Sequence, residues 1–299
     1  MKKKSGIMTK RSAPYLMLLP AMAMIAVFMF YPIFMTFYNS FHNYILTRPK
    51  DYGFIGLENY QALLKDPVFY KSLYNTLIWT FWNVILQATL GLAVAILMNI
   101  EFKGRKIYRM IVFSPWAFGG MVVALVFSYM FTGQTGVVND LLMKLGIISE
   151  RIPWFATGAR ARGVLIFTTT WRGIPFFAVS FLAALQSIPG DYYEAADVDG
   201  AGTWYKFTHI TMPLIKNTVI LTTMLRTIWT FNIVDIIAGM TAGGPNNATM
   251  TLPLYLMTRF NEGLDIGYSS AMAATMAIML AVFAAVYAFV GGFGKEGDL

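Results

Sequence analysis

The stretch Pro189-Gly-Asp-Tyr-Tyr-Glu-Ala-Ala-Asp-Val-Asp-Gly-Ala-Gly-Thr-Trp-Tyr-Lys-Phe-Thr-His-Ile-Thr-Met-Pro213 is the most polar segment in the second half of a very apolar chain. Asp191 followed three residues later by Glu194 is a capping-box pattern and predicts the start of a short helix. That helix should end at Asp199-Gly200, with Gly200 at the positive φ that a helix C-terminus favours. Thr203 is placed to cap a second short helix, which should stop near Met212 because the residue before a proline disfavours helix. Trp204, Phe207 and Ile210 recur at helical spacing and give it an apolar side. Helices this short are not stable alone in water. The segment therefore reads as a plug for a partner protein.

The rest of the chain supplies the frame for that plug. With 299 residues, 57% of them hydrophobic and 13% charged, and a mean hydropathy of +0.56, it lies outside the range of soluble domains. A net charge of +8 raises nucleic acid as a partner, but the basic residues fall between apolar runs, where lipid headgroups account for them. The chain has no cysteine, which excludes disulfide and thiol chemistry, and its two histidines, His42 and His209, lie far apart. A metal site is not expected.

Six apolar runs read as membrane spans, at about 15–37, 72–98, 107–131, 162–186, 217–240 and 268–292. The first resembles a signal peptide, with Lys2, Lys3, Lys4, Lys10 and Arg11 ahead of it and Ala21-Met22-Ala23 inside. It is too long for one and reads as an uncleaved span of about 35 Å, bent at Pro20 and Pro32. No long linker or sequence repeat divides residues 1–299, so the expectation is one all-α membrane domain of six helices. With both termini cytoplasmic, inside segments hold twelve basic residues against nine outside, and the N-terminal tail and the 99–109 loop are the densest. The 189–213 plug then faces the cytoplasm. Residues 137–145 are expected to form a helix lying along the outer surface. The outer loops serve either as connectors or as a docking face for an external partner.

Ionic and polar residues inside spans are candidates for function. Arg172 lies mid-span beside Trp171, where it either serves a path or pairs with a carboxylate or backbone carbonyls. Thr223, Arg226, Thr227 and Thr230 form one stripe, with Asn232 and Asp235 toward its outer end. The stripe either lines a water-filled path or bonds neighbouring helices. The path reading assigns Arg226, Thr230, Asn232 and Asp235 to polar contacts with a solute, and Trp171 and Phe176 to stacking on a sugar ring. Pro115, Gly119-Gly120, Gly173 and Pro175 should break helix regularity at membrane depth. Ala273, Ala277, Ala281, Ala284 and Ala288 give the last span a small-residue face for close packing. No catalytic Ser/His/Asp set, paired carboxylates or zinc spacing occurs. The tail Gly291 to Glu296 lacks the remaining features of a phosphate loop. An intramembrane enzyme is therefore disfavoured, and a stand-alone secondary transporter would show half-repeats and coupling carboxylates.

Glu194-Ala195-Ala196-x-x-Asp199-Gly200-Ala201, followed by Phe207, Ile210 and Pro213, resembles the EAA loop of permease subunits in binding-protein-dependent ABC importers. Trp171-Arg172-Gly173-Ile174-Pro175-Phe176-Phe177, Ala184 to Pro189, and Thr241-Ala242-Gly243-Gly244-Pro245 are similar to the carbohydrate-importing branch, in particular the first maltose or glycerol-phosphate permease. The resemblance covers roughly residues 14–292. Asn217 stands where the family often has a proline, and Val234 where an aromatic residue often precedes Asp235.

This resemblance implies a type I permease fold of six transmembrane helices with cytoplasmic coupling helices, in a bacterial or archaeal cytoplasmic membrane. Glu194, Ala195, Ala196, Asp199, Gly200, Ala201, Phe207 and Pro213 would contact a separate ATPase present in two copies, which holds the ATP and Mg. This chain itself would carry no cofactor. It also implies a second, homologous permease, an extracytoplasmic solute-binding protein, surrounding lipid, and a carbohydrate cargo, with glycerol phosphate or another polar solute as the alternative.

Overall fold

Apolar runs in this chain become helices, and almost all regular structure in residues 13–291, which a computed structural model describes, is helical. The N-terminal basic cluster and the tail beyond Gly291, including Lys295, lie outside the described residues. The described residues form two compact units, one of those up to Lys65 together with Thr258–Ile278, the other of Asp66–Met257 together with those from Met279 on.

In the first unit, α1 (Ala13–Ile25), a π-turn (Ala26–Phe30) and α2 (Tyr31–Ser40) run on without interruption. The π-turn falls directly before Tyr31-Pro32. A proline ring inside an α-helix meets the carbonyl four residues back, and widening the preceding turn moves that carbonyl aside. The Tyr31 amide accordingly donates to the Ala26 carbonyl, five residues back. None of the apolar window in Met17–Ser40 is buried. Beyond it, β1 (His42–Asn43) pairs antiparallel with β2 (Gly53–Phe54), followed by α3 (Glu58–Lys65). Asn59 Nδ2 donates to the Ser40 and His42 carbonyls at 2.9 and 3.0 Å and closes this turn. A Cβ on Gly267 would stand 2.3 Å from the His42 carbonyl, so only glycine allows the two segments to touch.

The second unit is built on α4 (Pro67–Asn99), α8 (Gly158–Gln186) and α11 (Met212–Phe231). Asp66 caps α4 by accepting from the Val68 amide at 2.8 Å. At its far end, Arg105 Nε and Arg109 Nη2 donate to the Met98 carbonyl at 2.8 and 3.2 Å. The basic 99–109 loop thus satisfies orphan carbonyls of a helix C-terminus as well as carrying charge. In lipid, burying apolar surface against a neighbouring helix brings little gain, and close packing holds helices together instead. At Gly91 an added Cβ would lie 2.4 Å from Phe177 Cβ, so α4 and α8 approach almost backbone to backbone. Phe177, Phe181 and Ile215, each no more than 1% exposed, fill the space beside that contact.

The irregularity expected near Pro115 and Gly119-Gly120 is a sharp bend. α5 (Arg105–Phe113) with a 3₁₀ turn (Ser114–Ala117) meets α6 (Gly120–Met130) at 98°. α7 (Val137–Lys144) forms where a helix was expected. Its place is set by Asn139, which donates to the Gly133 and Ile152 carbonyls and accepts from the Ile152 amide and Trp154 Nε1. The expected span at 217–240 is in fact α11, a break at Asn232–Val234, and α12 (Asp235–Met240). α13 (Leu252–Gly263) and α14 (Ile266–Val290) follow. Among the described residues, four helical stretches are long and apolar enough to cross a membrane, Met17–Ser40, Pro67–Asn99, Gly158–Gln186 and Ile266–Val290, and the bent pair makes up to five. α11 carries Lys216 and Arg226, which lower its apolar character.

Candidate functional site

The 189–213 segment folds as two short helices, α9 (Asp191–Val198) and α10 (Thr203–Lys206). Gly200 has φ +74° and meets nothing within 4 Å at its Cβ position, so backbone conformation alone calls for glycine there. The Gly200 amide donates to the Asp197 carbonyl and the Ala201 amide to the Ala196 carbonyl, closing the helix end as expected.

Three local expectations fail. The capping box does not form: the N-cap is Gly190, with no side-chain bond, and Asp191 and Glu194 sit exposed in the first turn, where their charge suits the helix N-terminus. Thr203 is the first residue of α10 rather than its cap, which is Gly202. The chain also does not leave helix before Pro213. A second π-turn (Phe207–Thr211) precedes Met212-Pro213, and the Met212 amide donates to the Phe207 carbonyl, five residues back. This repeats the solution seen at Pro32, and α10 passes through the turn into α11.

Tyr192, Ala195, Asp199, Gly200, Tyr205 and Ile210 line an open groove of about 540 Å³ between the two short helices. Trp204 and Val198 stand out beside it, 75% and 88% exposed. Glu194, Ala195, Asp199 and Gly200 are exposed, Ala201 and Phe207 half-buried, and Ala196 buried. Pro213 is exposed at the start of α11.

A buried polar network lies deeper in the bundle. Arg226 on α11 is 7% exposed and its Nε donates to Gln87 Oε1 on α4 at 2.6 Å. Gln87 Nε2 in turn donates to the Thr169 carbonyl on α8 at 3.0 Å. One turn along α4, Asn83 Nδ2 donates to the Trp79 carbonyl, and Trp79 Nε1 reaches the Thr230 carbonyl at 3.1 Å. Gly173 lets this happen: its Cβ would fall 2.2 Å from Gln87 and 2.4 Å from Arg226. Asn75, Trp79, Asn83 and Gln87 repeat every fourth residue, a buried stripe absent from the sequence reading because the surrounding apolar residues mask it in any hydropathy average.

The candidate path residues do not all meet. The Phe176 ring lies 5.1 Å from Trp229 and has the Arg226 guanidinium 5.9 Å from its centre. Trp171 faces elsewhere, onto Phe127 of α6 at 5.2 Å. Thr230 is fully buried, with its hydroxyl unpaired among the described residues. Asn232 is exposed, and its Nδ2 donates to the Ile228 carbonyl at 2.9 Å. Asp235 opens α12 with its carboxylate against Gly120, where a Cβ would be only 1.6 Å from Oδ2. Arg172 Nε donates to the Phe118 carbonyl at the bend before α6, at 3.3 Å.

On the far side of α12, Ala242, Gly243, Asn246 and Asn247 all have positive φ in one short loop. Asn75 Nδ2 holds that loop through the Asn247 and Met250 carbonyls at 3.0 and 2.9 Å, and Lys71 Nζ reaches the Asn246 carbonyl. Left-handed residues other than glycine persist only where the surroundings over-determine them.

Residues 87–293 match the model of the family described as the inner membrane component of binding-protein-dependent transport systems. The chain belongs to that family. The sulfoquinovosyl glycerol transport system permease SmoG of Agrobacterium fabrum is 38% identical over 86% of this chain and 83% of its own length. The trehalose/maltose transport system permease MalF of Thermococcus litoralis is 36% identical over 87% and 86%. A solved bacterial ABC transporter chain, from a system importing the acidic polysaccharide alginate, superposes with a TM-score of 0.83 at 23% identity, covering 96% of this chain and 98% of its own. The fold is accordingly the all-α type I importer permease fold, and the chain is a multi-pass membrane transport subunit. In this permease the 189–213 pair is largely exposed, while the polar network ties α4, α8 and α11 together.

Proposed function

We propose that this permease forms one half of the translocation path of an ATP-driven carbohydrate importer and is driven through the 189–213 helix pair by a separate cytoplasmic ATPase. The observation that carries the reading is the exposed α9–α10 pair, closed by left-handed Gly200 and running through a π-turn into α11. A stiff element at the end of a bundle helix transmits rigid-body motion, which a flexible linker would absorb. Carbohydrates named for SmoG and MalF support a sugar cargo. Glycerol phosphate or another polar solute is the alternative cargo.

The remaining parts of the assembly follow in the same reading. Residues 1–299 act as one permease domain of six spans with both termini cytoplasmic. A second, homologous permease completes the path, an extracytoplasmic binding protein delivers cargo, and two ATPase copies hold ATP and Mg. Closure of the ATPase pair pulls the coupling helices together and opens the cavity outward; hydrolysis resets it. Phe176 and exposed Asn232 offer the apolar face and planar hydrogen-bonding group that a sugar ring needs, with Arg226 beside the Phe176 ring, and Trp171, Thr230 and Asp235 serving the path through the helices they hold in place.

Glu194→Ala and Gly200→Ala in the complete transporter test the coupling element. The glycine change strains the turn by about 1 kcal/mol and re-aims α10. Both variants should still accept loaded binding protein but lose cargo-stimulated ATPase activity. Normal transport in both, with the ATPase still co-purifying, would reduce 189–213 to a connector. For the path, Asn232→Ala and Phe176→Ala should each raise the cargo concentration for half-maximal transport by about fivefold to tenfold, the scale of one hydrogen bond or ring contact. Unchanged transport and cargo preference would place the path elsewhere.

A further inference from the structure

Two residues of α9 that the Glu194 to Ala201 pattern leaves unspecified, Tyr193 before it and Asp197 within it, grip the segment through which α10 enters α11. The Asp197 carboxylate accepts from Lys206 Nζ, at the last residue of α10. The Tyr193 hydroxyl is 2.9 Å from Thr211 Oγ1, at the last residue of the π-turn. Tyr193 and Asp197 are four residues apart and share one face of α9, with Ala196 buried beside them. Thr211 is 7% exposed, and its Oγ1 also reaches the Lys206 carbonyl, five residues back, at 3.4 Å. One face of α9 therefore holds both ends of the 206–211 segment, while Glu194, Ala195 and Val198 stand exposed.

We propose that Tyr193 and Asp197 are positioning residues for energy coupling: with Thr211 and Lys206 they clasp α9 to the π-turn, so that a push on α9 moves α11 as one body. This rests on reading 189–213 as the coupling element. The physical need arises at the 199–202 turn. Without the clasp, α9 would be joined to α10 chiefly through the chain of that turn, and rotation about it would dissipate the motion. The π-turn is a weak point of the same kind, being a wider turn than the α-helix around it. Bracing it from α9 removes both soft joints together. Stability alone does not account for the arrangement, since Asp197 is 64% exposed at its side chain and such ion pairs add little to folding.

The test uses the assembled transporter in proteoliposomes, with its partner permease, ATPase and binding protein. Tyr193→Phe keeps the ring, and Asp197→Ala removes the acceptor from a side chain that is 64% exposed, so the double variant removes the clasp with little change in packing. The expected result is a ratio of cargo moved per ATP hydrolysed that falls by about fivefold, the factor one hydrogen bond commands, with ATPase co-purification unchanged. Asp197→Lys alone should lower the ratio as well, and Asp197→Lys with Lys206→Asp should restore most of it. An unchanged ratio in the double variant, with Glu194→Ala still uncoupled, overturns the clasp and leaves the coupling element standing. Loss of ATPase co-purification also overturns it, since the residues would then serve docking. If Glu194→Ala and the double variant both transport normally, it is the coupling reading that fails.

Discussion

Gln87→Leu is expected to destabilise the permease by about 1.5–3 kcal/mol, the scale of a hydrogen bond to a buried charged group. Arg226 is 7% exposed and donates through Nε to Gln87 Oε1 at 2.6 Å. The ion pairs among the described residues are Arg151 with Asp140 and Lys206 with Asp197, so no carboxylate relieves this guanidinium. Leucine fills much of the space of glutamine but offers no acceptor, and the charge would face an apolar wall in the bundle. Removing both partners, as Gln87→Leu with Arg226→Met, should restore most of the loss, because apolar side chains of similar size need no pairing. Unfolding of the purified permease in detergent measures all three variants. A double variant as unstable as the sum of the two singles would show that these residues contribute independently, and the network account would fall.

Gly120→Ala should loosen the bend before α6 by about 1–3 kcal/mol or more, the range for overpacking a well-filled site. The added Cβ would stand 1.6 Å from Asp235 Oδ2 and 2.4 Å from Cγ. Asp235 has little room to give way, since its Oδ1 accepts from the Ile236 amide at 3.0 Å. Sliding α12 along α6 is blocked as well, because a Cβ on Gly239 would meet Ala124 and Met121 at 2.8 Å. Asp235→Gly in the Gly120→Ala background clears the collision and should recover the melting temperature. A Gly120→Ala permease that melts as the parent does would mean that α12 is free to retreat. In that event the Asp235 carboxylate would not be set by the close approach of these two helices.

Much of the site's local chemistry is legible residue by residue. Gly200 at φ +74° and the helix end at Asp199 follow from what glycine permits, within four residues of chain. The break near Pro115 and Gly119 does too, although its 98° angle does not. The failures are equally local in origin. Asp191-x-x-Glu194 matched a capping box, but Gly190 already has helical angles, which leaves no extended N-cap for the side chains to serve. Pro213 ends a helix only if the preceding turn keeps its α-helical width, and the 207–211 π-turn does not.

By itself, the sequence determined that this chain is an apolar helical membrane protein with one polar helix pair outside its spans. Both depend on hydropathy and on backbone preferences that act within a turn or two. The tertiary structure alone decided which polar residues meet. Gln87 and Arg226 are 139 residues apart, and Trp79 and Thr230 are 151 apart. Hydropathy averaging hides the stripe from Asn75 to Gln87, and no local rule pairs it with α8 and α11. Only the close approach of helices at Gly91 and Gly173 brings those groups within hydrogen-bond reach, and there each buried donor takes the acceptor that packing leaves beside it.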